Sequence, residues 1–119
     1  MTRCNLETLD IAREIINHLE EKKGENLVLI DIKNLAVFAD YFIICSGNSD
    51  RMLHALANSV IEFIHTKYKW SARTEGEPRE GWILIDSGDI IVHLFSPEQR
   101  NYYKLEDLWS KGKILLHLQ

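Results

Sequence analysis

The segment from Glu80 to Phe95, EGWILIDSGDIIVHLF, is the most strongly patterned run in the chain and does most to constrain the fold. Two apolar, β-branched runs, Trp82 to Ile85 and Ile90 to Phe95, flank Asp86-Ser87-Gly88-Asp89, and a central Ser-Gly pair is a tight-turn signal. The pattern predicts a β-hairpin. With Ser87 and Gly88 as its two-residue loop, counting outward puts Trp82 opposite His93, Leu84 opposite Ile91 and Asp86 opposite Asp89. Ile83, Ile85, Ile90, Val92 and Leu94 then share the other face. That face is wholly aliphatic and calls for helices packed on it. The mixed face carries an indole, an imidazole, two carboxylates and Phe95, and it is where function is expected. A loop one residue longer would exchange the faces.

Length admits one domain, spanning residues 1–119, with a core of its own. Fourteen basic residues stand against 18 acidic ones, a net charge of −4, which argues against a surface built to neutralise phosphates and favours a basic protein partner. Cys4 and Cys45 are too few and too far apart for a disulfide framework or a clustered metal site, so they read as two reduced thiols. No apolar stretch reaches transmembrane length, and the opening MTRCNLETLD has no hydrophobic signal region. Glu7 and Asp10 argue against an organellar transit peptide. A cytoplasmic location is expected.

Along the chain, Leu6, Leu9, Ala12, Ile15, Ile16 and Leu19 recur at helical spacing and predict a helix to about Lys23, with Asn5 as cap and Gly24 as stop. Leu27 to Ile32 and Tyr41 to Ser46 read as strands, joined by a connection in which Asp40 precedes an exposed-looking aromatic pair, Tyr41 and Phe42. Ser49 caps a second helix running to about Lys67, with Met52, Leu53, Leu56, Val60 and Ile64 as its buried stripe. Trp70 to Thr74 is a candidate short strand, and Glu75 to Gly81 a polar loop leading into the hairpin. Ser96-Pro97-Glu98 opens a short helix, and Leu105 to Trp109 suggests another helical turn. The tail KGKILLHLQ is apolar enough to dock but shows no clear period. The order of elements points to helices on a mixed sheet.

Few constellations carry chemistry. Ser46-Gly47-Asn48-Ser49 joins a strand to a helix, where phosphates bind, but its spacing is not that of a P-loop and a capped turn explains it. Asp86 and Asp89 flank a turn, where aspartate serves local hydrogen bonding, and no third carboxylate is fixed nearby. His93 has no metal-binding company on its own strand face. The aromatic residues of the last third, Trp82, Phe95, Tyr102, Tyr103 and Trp109, interleave with Glu98, Arg100, Glu106 and Asp107; Tyr, Trp and Arg are the residue types that dominate protein contact surfaces, while aromatic residues also serve in cores.

Six blocks then form a pattern: Asp40-Tyr41-Phe42, Ser46 to Arg51 (SGNSDR), Glu80-Gly81-Trp82, Asp86 to Asp89 (DSGD), Val92 to Phe95 (VHLF), and Glu98 to Trp109 (EQRNYYKLEDLW). In this order, over nearly the whole chain, they resemble the ribosomal silencing factor family, also called Iojap. The resemblance implies a translation regulator that is not an enzyme and uses no cofactor and no metal. It implies binding to the large ribosomal subunit through ribosomal protein L-fourteen, steric exclusion of the small subunit, notably when nutrients are scarce, and a link to large-subunit maturation. The implied fold is α/β (α+β), a mixed β-sheet with helices packed on it, nucleotidyltransferase-like but without catalytic carboxylates. It leaves a homodimer open, and involves neither membrane nor sequence-specific nucleic acid. For the partner contact, Trp82, His93, Phe95, Tyr102, Tyr103 and Trp109 are the candidate anchors. Asp40, Asp86, Asp89, Glu98 and Glu106 would face basic groups, with Tyr41 beside Asp40. The rival readings are a nucleotidyltransferase-like protein binding nucleotide at Gly47 to Asp50, and an RNA-binding assembly factor, which the acidic balance disfavours.

Overall fold

The computed structural model describes residues 8–103 and 113–118. Its elements are α1 (Thr8–Glu21), β1 (Glu25–Asp31), β2 (Tyr41–Ser46), α2 (Asp50–Tyr68), β3 (Arg73–Glu77), β4 (Trp82–Asp86), β5 (Ile90–Phe95), α3 (Pro97–Tyr103) and β6 (Lys113–Leu118). The strands form one six-stranded sheet in the order β3-β4-β5-β2-β1-β6. Only the central β2–β5 pair is parallel; the other four are antiparallel, so the sheet is mixed and the fold is α+β.

Alternation along the strands decides which face takes the helices. Ile83 and Ile85 of β4, Ile90, Val92 and Leu94 of β5, Ile43 and Cys45 of β2, and Leu27 and Leu29 of β1 point to one side. There they meet Ile11, Ile15, Ile16 and Leu19 of α1 and Leu53, Leu56, Val60 and Ile64 of α2. The opposite face holds a second cluster, in which Val28, Ile30, Phe42, Ile44, Ile91 and Phe95 are buried and Trp82 and Leu84 pack against them. Because β1, β2 and β5 are buried on both faces, their sequences read as nearly unbroken apolar runs.

The hairpin forms, but its register differs from the one counted outward from Ser87-Gly88. Trp82 lies opposite Phe95, Leu84 opposite His93 and Asp86 opposite Ile91. The loop residues are Gly88 and Asp89: the Ser87 N–H donates to the Ile90 carbonyl at 3.1 Å, and Gly88 has φ 99°, at the first central position, where II′ hairpin loops place glycine. The shift is two residues, a whole side-chain period, so the aliphatic and mixed faces stay as expected.

Helix ends follow local chemistry. Ser49 is extended and its Oγ accepts the Met52 N–H at 3.1 Å, as the cap reading requires. At the end of α1 the left-handed residue is Lys23, with φ 75°, not Gly24. Gly24 is needed for closeness instead: a Cβ there would lie 2.5 Å from Cys45 Sγ. Ser96 opens α3, its Oγ accepting the Gln99 N–H at 3.2 Å.

Two strands differ from expectation. The strand anticipated at Trp70 to Thr74 runs instead from Arg73 to Glu77, taking in Glu75, Gly76 and Glu77, and all five of its residues are exposed at the sheet edge. It has no apolar face for periodicity to reveal. The tail forms β6, paired antiparallel with β1, and a register shift between Leu29 and Ile30 leaves Leu115 as an extra residue. Leu115, Leu116 and Leu118 consequently all pack on the helix-side cluster, which erases the strand alternation. The helical turn anticipated at Leu105 to Trp109, and the Asn5 cap, lie outside the described residues.

Candidate functional site

The mixed face of the sheet carries an aromatic ladder. Phe42 meets the His93 ring edge-on, with centroids 4.8 Å apart. Phe95 lies nearly parallel to His93 at 6.0 Å, and Trp82 stacks beyond Phe95 at 6.5 Å. On the far side Phe38 tilts against Phe42 at 6.2 Å. Three strands supply these rings: residues 42, 93, 95 and 82 sit on one face because 42 pairs with 91, and 82 with 95.

His93 is the titratable centre of the ladder. The Trp82 Nε1–H donates to His93 Nδ1 at 3.5 Å, which assigns the imidazole proton to Nε2. Nε2 is buried and has no partner among the described residues. Burial pushes the imidazole down to about 4 from 6.5, so the ring is neutral at physiological pH. A neutral, desolvated imidazole with no acid partner among the described residues is a packing element of this face.

The two ends of this face differ. At one end the loop after β1, the start of β2 and the β4–β5 turn converge. The N–H groups of Asp40 and Tyr41 both donate to the Asp89 carbonyl, at 2.8 and 3.1 Å. Asp86 Oδ1 accepts the Gly88 N–H at 2.9 Å, and its Oδ2 lies 3.7 Å from Arg73. These four sequence candidates are thus brought together, with Asp89 exposed and Asp40 and Asp86 half-buried. At the other end are Trp82, half-buried, Phe95, buried, and Glu98, exposed on α3. His93 lies between the ends.

Tyr41 and Phe42, read as an exposed-looking pair, are each only 4 % exposed, because β2 is central and both faces of the sheet are covered there. Tyr41, His93 and Phe95 can act on a partner only through the side chains they support. Tyr102 and Tyr103 fall in the backbone of α3, whereas Glu106 and Trp109 lie outside the described residues.

Sequence reasoning missed two features. Leu35, Val37 and Phe38, in the connection between β1 and β2, are 41, 105 and 57 % exposed. The run LAVF has no strand or helix period, and that was the available signal. Arg100 is buried, its Nη1 donating to Ser46 Oγ at 2.9 Å and to the Asn26 carbonyl, which ties α3 to the ends of β1 and β2. No motif announces such a reach.

The Gly47 to Asp50 loop is engaged in the fold itself. The Gly47 N–H donates to the Phe95 carbonyl at 2.9 Å, and a Cβ at Gly47 would lie 2.9 Å from Leu53 Cδ2. Among the described residues no group of three or more His, Cys, Asp or Glu side chains could hold a metal, and no helix is long and apolar enough to cross a membrane.

Comparison with known proteins covers almost the full chain. The family model described as "Ribosomal silencing factor during starvation" matches residues 5–117. A protein of Halalkalibacterium halodurans named Ribosomal silencing factor RsfS is 37% identical over 106 residues, covering 89% of this chain and 88% of that protein. The mouse protein named "Mitochondrial assembly of ribosomal large subunit protein 1" is 30% identical over 99 residues, covering 81% of this chain and 43% of its own length. A crystal structure of a Chromobacterium violaceum protein superposes with a TM-score of 0.83 at 32% identity, covering 93% of this chain and 94% of that one.

Proposed function

The chain belongs to the ribosomal silencing factor family, and on that premise we propose that it binds the large ribosomal subunit through ribosomal protein L-fourteen and excludes the small subunit sterically. The observation that carries the reading is the family match over residues 5–117. It is supported by the name of the mouse relative, which refers to the ribosomal large subunit. The net charge of −4 suits a basic protein surface better than bare RNA, since opposite charge speeds encounter.

In this reading the protein is a blocker and not an enzyme. Position and affinity matter, and turnover does not. Trp82 and Glu98 at one end of the mixed face and Asp40, Asp86 and Asp89 at the other make contact, while His93 and Phe95 hold the face in shape and Tyr41 anchors the start of β2 on its helix side; Tyr102, Tyr103, Glu106 and Trp109 are proposed as further contacts. The protein acts in the cytoplasm, needs no cofactor, and a homodimer off the ribosome would sequester part of this surface.

The test is co-sedimentation of the purified protein with isolated large and small subunits. Pelleting with the large subunit alone supports the reading; pelleting with neither, or with the small subunit, refutes it.

A further inference from the structure

Large apolar side chains are rarely left exposed side by side on a folded domain. Among the described residues only four are exposed, and three of them, Leu35, Val37 and Phe38, fall within four consecutive positions. The fourth, Ile114, is on β6 at the sheet edge. The concentration in one loop is therefore not the ordinary scatter of apolar atoms over a surface.

The loop's stem is firmly built. The Ile32 N–H donates to the Asp40 carbonyl at 2.9 Å, and the Leu35 and Ala36 N–H groups both donate to the Ile32 carbonyl. Ile32 and Ala39 are buried at its base. The apolar tip is thus presented on a closed loop, and Phe38 continues directly into the aromatic ladder through Phe42. Asp31 and Asp40 flank the loop in sequence, and the bond from the Asp40 N–H to the Asp89 carbonyl brings the β4–β5 turn, with Asp86 and Asp89, beside its base. Lys33 reaches Asp31 at 4.0 Å and Arg73 reaches Asp86 at 3.7 Å, which leaves Asp40 and Asp89 as the carboxylates without an ion pair among the described residues.

We propose that Leu35, Val37 and Phe38 form the apolar anchor of the partner contact, inserting into an apolar recess that basic side chains border, with Asp40 and Asp89 meeting those cations. The inference rests on the reading that the partner is a basic protein of the large subunit, and it adds which residues grip it. An acidic border disfavours a nucleic-acid backbone and suits a Lys- or Arg-bordered protein pocket. A buried apolar anchor within a ring of charge is the arrangement in which a few side chains dominate affinity.

The experiment measures binding of the full chain to purified large subunits by pelleting over a concentration series, for wild type, Val37→Ser, the double variant Val37→Ser/Phe38→Ser, and Asp40→Asn/Asp89→Asn. Val37 is fully exposed, so its replacement leaves the fold intact, and unchanged thermal melting verifies the others. The expected result is about tenfold or greater weakening for the double apolar variant, a smaller loss for Val37→Ser, and a flatter salt dependence for the double asparagine variant. Wild-type binding with unchanged affinity in both serine variants overturns the inference and leaves the family reading standing. Failure of wild type to bind the large subunit overturns both.

Discussion

Trp82 and His93 are hydrogen-bonded through Nε1 and Nδ1 at 3.5 Å although they are diagonal neighbours, since Trp82 lies opposite Phe95 and His93 opposite Leu84. The diagonal reach is available to an indole but not to a short side chain. Its consequence is electrostatic: the bond consumes the acceptor nitrogen of His93 and turns the donor nitrogen into the buried interior of the mixed face.

The folded chain therefore resists protonation of His93. An unfolded histidine takes a proton below about 6.5, whereas burial holds the folded one neutral down to about 4. Stability from this site is complete above pH 6.5, falls as pH drops from 6.5 to 4, and changes no further below that. The full loss is on the order of 3 kcal/mol. Urea unfolding of wild type and His93→Phe between pH 4 and 7.5 checks it: the stability difference should shift toward the variant as pH falls. A constant difference would mean that His93 titrates normally in the fold.

Gly24 and Cys45 should be coupled. A Cβ at residue 24 would sit 2.5 Å from Cys45 Sγ and 3.1 Å from the Leu19 carbonyl oxygen. Gly24→Ala should cost about 1–3 kcal/mol by overpacking. Cys45→Ala alone leaves a small void, and the double variant should be more stable than the sum of the single losses. Chemical denaturation of all four proteins measures the coupling; strict additivity would contradict it.

Arg100 fastens α3 to the sheet. Arg100→Met removes donors to Ser46 Oγ and the Asn26 carbonyl while keeping most of the apolar stem, and should destabilise by about 2–4 kcal/mol. Ser46→Ala should cost less, about 1 kcal/mol, because one neutral acceptor is lost. Hydrogen exchange should open first in residues 97–103 of the arginine variant.

Trp82 is the half-buried member of the ladder and is offered for contact. Trp82→Ala should weaken large-subunit binding by about 2 kcal/mol, chiefly through faster dissociation. Asp89→Asn, on an exposed turn, should instead slow association and reduce its salt dependence. Stopped-flow binding separates the two; the opposite assignment would remove Trp82 from the contact.

Much of the fold was legible in the residues. Ser49 announced α2, and the aliphatic side of Ile83, Ile85, Val92 and Leu94 announced the helix layer, because caps and alternation are local signals. The faces of the hairpin survived a two-residue error in register because the side-chain period is two. Strand β3 was displaced because RTEGE buries nothing, and β6 was hidden because the bulge at Leu115 breaks its alternation.

The candidate site was only partly legible. The pattern brought Asp40, Tyr41, Asp86 and Asp89 into view, and the fold gathers them at one end. It could not tell buried Tyr41 from exposed Val37, since burial there depends on which elements flank each residue in space. Arg100 was noted only as a charge, because its partners at Asn26 and Ser46 are more than fifty positions away in sequence.

Steric exclusion of the small subunit is read out by light scattering of purified large and small subunits during joining. With the large subunit preincubated with this protein in excess, joining should fall in proportion to the occupied fraction, and adding the protein after joining should have little immediate effect. Undiminished joining at full occupancy of the large subunit would contradict the account.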